Sequence, residues 1–83
     1  PILTEERRTE LVKVARDKAE QTRISIRNSR RDANDEVKKT VEAESLPEDS
    51  KFEAEDEVQK ITDSNIKKVD DYLSQKESEI MTV

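Results

Sequence analysis

Residues 44–49 read "ESLPED", and these six residues decide how the rest of the chain folds. Pro47 has no amide hydrogen and crowds the residue before it, so Leu46 is pushed out of helical geometry. The same proline suits the first turn of a new helix, where Glu48 and Asp49 meet the positive end of the helix dipole. One helix therefore ends and another begins across a loop of about residues 45–47. A connection that short makes its two helices antiparallel neighbours, since a parallel return needs a far longer link.

Upstream of the break, "LTEERR" (3–8) signals a helix start. Thr4 can accept a hydrogen bond from the first-turn amides, and Glu5 and Glu6 favour the dipole. Leu11, Val14, Ala15, Ile26, Ala33, Val37 and Val41 recur largely on one side at about 100° per residue. Thr22, Ser29 and Thr40 extend that stripe with small groups, which predicts close approach of a neighbour. The pattern predicts a helix over about residues 4–44, roughly 60 Å long at 1.5 Å per residue. Downstream, Phe52, Val58, Ile61, Ile66, Val69, Leu73 and Ile80 follow spacings of three, four and seven, so a second helix is expected over about 48–80. Tyr72 is expected to pack at the seam. The fold class is all-α, a long antiparallel helical hairpin.

Composition agrees with this and narrows function. Of 83 residues, 45% are charged and 30% hydrophobic, with no glycine and two prolines, a balance that fits either disorder or long solvated helices. The periodicity selects helices. Only 20 residues are apolar and larger than alanine, and two helices side by side leave part of each stripe wet. The hairpin is thus expected to be part of a larger packed unit. The opening "PIL", with no initiator methionine, reads as the exit from an earlier segment or as a boundary.

The absence of cysteine removes any disulfide or thiolate nucleophile and fits a reducing, cytoplasmic setting. With no histidine, tryptophan or glycine-rich loop, neither a nucleophile–base pair nor a phosphate-cradling turn can be assembled. No catalysis, cofactor or metal is expected. No apolar run approaches the roughly 20 residues that span a bilayer. Asp32, Asp35 and Glu36 read as orienting or solvating groups, and the run "EAEDE" (53–57) as a solvated first turn without EF-hand spacing.

Charge is divided along the chain. Residues 1–44 carry a net +1 and residues 45–83 a net −6, within an overall −5. Inside the first helix, residues 23–31 hold four arginines and no lysine. With Arg16 at zero on a helical wheel, Arg23 falls near −20°, Arg27 near +20°, Arg30 near −40° and Asn34 near zero, a row about 27 Å long. The apolar stripe is centred about 120° away. Arg31 lies beside the row. A planar guanidinium fork matches phosphate bidentately, which an ammonium cannot do.

Two readings stand at this point. The row binds a polyanion, or it is a solvated face in which Arg16 pairs with Glu20 along the helix and the others with acids on the second helix. From Thr22 to Arg31 there is no acid, so Arg23, Arg27 and Arg30 lack local partners. Single-strand binders stack bases on aromatic rings, and none lies here. A nucleic-acid ligand would therefore be folded or duplex RNA, gripped through shape and phosphates. Ile24 lies off the main stripe, either an incidental surface residue or a contact to an absent element.

The stretches "LTEERR", "AEQTRISIRNSRRDAND" and "DEVQKITDSNIKKVDDYLSQKESEIM" closely resemble the C-terminal portion of bacterial-type ribosome recycling factor, and "RxxRRDAND" (27–35) is a specific signature of that family. The resemblance covers nearly the whole chain and is loose only around residues 43–55. It implies an L-shaped molecule, with a three-helix bundle and a β-rich domain inserted between the bundle's first and second helices. This chain would supply the second and third helices. It also implies that the bundle lies along large-subunit ribosomal RNA and helps disassemble the post-termination ribosome together with elongation factor G. The family's RNA-contacting arginines would fall on Arg27 and Arg30, with Arg23 and Arg31 beside them. A hairpin lacking the inserted domain is not expected to recycle ribosomes unaided. The competing expectation is a structural hairpin that self-associates into a four-helix bundle to hide its stripes.

Overall fold

The computed structural model describes residues 3–82, so the expectation attached to Pro1 lies outside the described residues. Two helices, α1 (Glu5–Ala43) and α2 (Glu48–Met81), pack antiparallel as a rod 63 × 15 × 13 Å. The Thr4 hydroxyl accepts the Arg7 amide at 3.0 Å and so caps α1, as the start signal predicts.

The break is a complete reversal of the chain at the end of α1. Ser45 adopts φ 52°, the amide of Leu46 donates to the Val41 carbonyl at 3.0 Å, and that of Ser45 to Glu42 at 3.4 Å. This is the two-bond Schellman closure, made with serine where glycine would avoid a penalty of about 1 kcal/mol. Pro47 is the last residue of the expected loop and occupies the N-cap of α2, where it offers no side-chain acceptor. Glu48 and Asp49 are left to stabilise that end through the dipole.

At the opposite end α1 completes α2. The last turn of α2 contains no basic residue. Arg8 of α1 supplies one, donating through Nη1 to the carbonyls of Ile80 and Thr82, the latter at 2.7 Å. Otherwise unpaired helix-end acceptors are thereby satisfied, and a cation is placed at the negative end of the dipole.

The helices touch most closely at small side chains. Among the described residues only Ala19 and Thr62 are buried, and no side chain is fully enclosed. The Thr62 hydroxyl donates to the Val58 carbonyl at 2.7 Å, which lets a polar residue sit at the contact. The rest of the apolar stripe opens onto one side of the rod. Leu11, Val14, Val69, Tyr72, Leu73 and Ile80 line one stretch of groove, which continues past Thr22 to Ile26, Ala33, Val58 and Ile61.

Several stripe residues are consequently not core. Ile61 and Phe52 are exposed, and Tyr72, expected at the seam, is 72% exposed because it stands on the groove's outer lip. Phe52 instead has the Lys51 ammonium 5.8 Å from its ring centre. Ile24 is also exposed. No helix among the described residues is long and apolar enough to cross a membrane, and no cluster of three metal-ligating side chains occurs among them.

Candidate nucleic-acid interface

Residues 16–34 are helical throughout, so the arginine row rides on an uninterrupted segment of α1. Its side chains nevertheless divide into two groups that the wheel does not distinguish. The packing face of α1 is turned further toward the row than the apolar pattern suggests. Arg23, Arg30 and Asn34 are all partly buried, alongside Ala19, Ile26 and Val37.

Arg16 and Arg23 belong to the hairpin. Arg16 Nε donates to Glu77 Oε1 at 2.7 Å, pairing across the seam and not along its own helix with Glu20. Arg23, 17% exposed, has its whole fork engaged. Its Nε donates to Asp70 Oδ1 at 2.8 Å, with Nη2 2.6 Å from the same oxygen, while Nη1 donates to Glu20 Oε2 at 3.2 Å. Arg23 therefore has a local partner after all, in Glu20, and a second one across the seam, in Asp70. The hydrogen bonds to Glu77 and Asp70 raise the pKa of Arg16 and Arg23 respectively, so both stay charged at any physiological pH.

Arg27, Arg30 and Arg31 are differently placed. The Nη1 of Arg27 stands 3.7 Å from Glu20 Oε1, too far for a hydrogen bond, and 43% of the side chain is exposed. Arg30 and Arg31 make no ion pair among the described residues, and Arg31 Nη1 donates only to the neutral Asn28 Oδ1 at 3.3 Å. Asn34 closes the row with its Oδ1 sealed from solvent and without a partner. That acceptor faces the protein interior, so the carbonyl end of Asn34 is not displayed to a ligand.

The remaining acids behave as solvated pairs. Glu36 lies 3.7 Å from Lys39, and within the run 53–57 Glu55 and Asp56 pair with Lys51 and Lys60. The row therefore reads as a structural clamp at Arg16 and Arg23, followed by three arginines with spare donors. The residues that sort them are Glu20, which the sequence offers as a partner for Arg16 alone, and Asp70 and Glu77, which do not stand out in the sequence. A signal for two of them exists. Folding the chain about the 45–47 turn sets Arg16 opposite Glu77 and Arg23 opposite Asp70, each pair almost equidistant from the turn.

Comparison with known proteins converges on one family. A family model described as ribosome recycling factor matches residues 1–81. The ribosome-recycling factor of Natranaerobius thermophilus is 54% identical over 80 residues, covering 96% of this chain and 44% of that protein. That of Thioalkalivibrio sulfidiphilus is 53% identical over 83 residues, covering 100% of this chain and 45% of that protein. The chain thus spans less than half the length of these curated relatives.

Proposed function

The chain belongs to the ribosome recycling factor family, and we propose that its hairpin is the RNA-gripping rod of a non-enzymatic translation factor. Arg27, Arg30 and Arg31 take phosphates of folded large-subunit ribosomal RNA. Arg16 and Arg23 hold the rod together behind them. The single observation that carries this reading is that Arg27, Arg30 and Arg31 make no hydrogen bond to a carboxylate, whereas Arg16 and Arg23 each make one across the seam.

Within the longer protein, the open groove takes a further helix, completing a three-helix bundle. The whole factor works on the post-termination ribosome in the cytoplasm with elongation factor G as partner. Self-association of two hairpins has only the exposed groove in its favour, and family membership supplies a different occupant.

Binding of the chain to a large-subunit RNA fragment, followed by filter retention over a salt series, tests the reading. Three phosphate contacts predict a log–log slope of about −2.1 to −2.7, hence a loss of roughly 20- to 40-fold between 50 and 200 mM salt. Retention that does not respond to salt would overturn it.

A further inference from the structure

Among the described residues Glu20 is the one carboxylate that reaches both groups of arginines. One of its oxygens is 3.2 Å from Arg23 Nη1 and the other 3.7 Å from Arg27 Nη1. It lies about one helical turn before Arg23, at i+3, and nearly two turns before Arg27, at i+7, on the exposed side of the seam. Its charge is not needed to satisfy Arg23, whose Nε and Nη2 already share Asp70.

We propose that Glu20 is a positioning residue that sets where the polyanion footprint begins. It does so by completing the occupation of Arg23 and by drawing Arg27 back along the helix. A phosphate approaching this end of the row meets a carboxylate and must displace it from Arg27 before making a short contact. Beyond Arg27 no carboxylate holds the arginines, and Arg30 and Arg31 are met first. Glu20 thereby restrains the affinity of the rod for any polyanion and confines contact to the end of the row nearest the turn. The inference rests on the proposed RNA-binding role.

The physical size of the effect follows from the geometry. Glu20 is more than half exposed and the Arg27 contact is long, so the pair is of the weak, screened kind. Releasing it should tighten binding by about two- to five-fold, the range such surface pairs span when expressed as an equilibrium ratio.

The test compares Glu20→Gln with Glu36→Gln in the chain, using a 20-base-pair RNA hairpin as probe and far-UV circular dichroism to match helicity. Glu36 is an exposed glutamate paired only with Lys39, and its substitution changes net charge equally. Tighter binding for Glu20→Gln, and little change for Glu36→Gln, is the expected result. Equal gains from both variants would reduce the effect to net charge and overturn the role of Glu20. Unchanged or weaker binding by Glu20→Gln at matched helicity would also overturn it. Salt-sensitive binding by the unsubstituted chain, with either of those outcomes, leaves the RNA-binding role standing and removes only Glu20 from it.

Discussion

Replacing Arg27 and Arg30 together by alanine is expected to weaken binding to folded RNA by roughly 30- to 100-fold at low salt, leaving the helices intact. Each side chain loses a charge-assisted contact whose donors are uncommitted in the free protein, and hydrogen bonds to charged groups are the stronger class. Exposure lowers the yield of each, so about five- to ten-fold per arginine is the reasonable scale. Alanine is the best helix former, and neither arginine ties α1 to a carboxylate of α2, so far-UV circular dichroism should not change. The salt slope should become shallower by about 1.4–1.8, since two phosphate contacts are gone. Arg16→Ala provides the contrast. Arg16 is paired with Glu77 and should alter RNA binding by less than about twofold. A double variant that binds as well as the parent would remove the assigned site.

The largest expected effect on stability is that of Ala19→Leu. Ala19 is the one buried apolar side chain among the described residues, and it lies with Val69 and Leu73 along the groove between α1 and α2. A leucine there forces the helices apart or takes an unfavourable rotamer, which costs about 1–3 kcal/mol in packed sites. A hairpin with so few buried groups has little reserve against such a loss. Thermal melting followed at 222 nm should shift to clearly lower temperature, and helix content at 25 °C should fall. Tyr72→Ala, on the exposed lip of the same groove, should leave the isolated hairpin's melting nearly unchanged. A parent-like melt for Ala19→Leu would mean that the seam is not packed as described.

The hairpin itself was legible in the sequence because its determinants are local. Thr4 caps, Pro47 interrupts, and a run without glycine or proline leaves the chain no alternative to helix in between. Pro47 at the N-cap agrees with a second helix expected from about residue 48. The packing face was less legible. Thr22, Ser29 and Thr40 marked a stripe of small residues, yet the close contact falls at Ala19 and Thr62, rotated toward the arginines.

That rotation has a physical source. Part of the hairpin's apolar surface lines the open groove, so the hydrophobic pattern averages two different contacts. Tyr72 and Ile61 contribute to the stripe in the sequence but stand on the groove's rim in the fold. The candidate site shows the same split. A wheel places Arg16, Arg23, Arg27 and Arg30 in one row because it sees one helix alone. Only the register of α2, which brings Glu77 and Asp70 alongside, separates clamped arginines from available ones.

The division of the arginine row can be observed directly through the Nε–Hε resonances of the individual guanidinium groups by NMR, during titration of the chain with an RNA hairpin. The signals of Arg27, Arg30 and Arg31 should move and saturate together, while those of Arg16 and Arg23 hold their positions in the carboxylate pairs. Arg16 and Arg23 shifting with the RNA, or Arg27 and Arg30 remaining still, would contradict the assignment of clamp and grip to different residues of one helix.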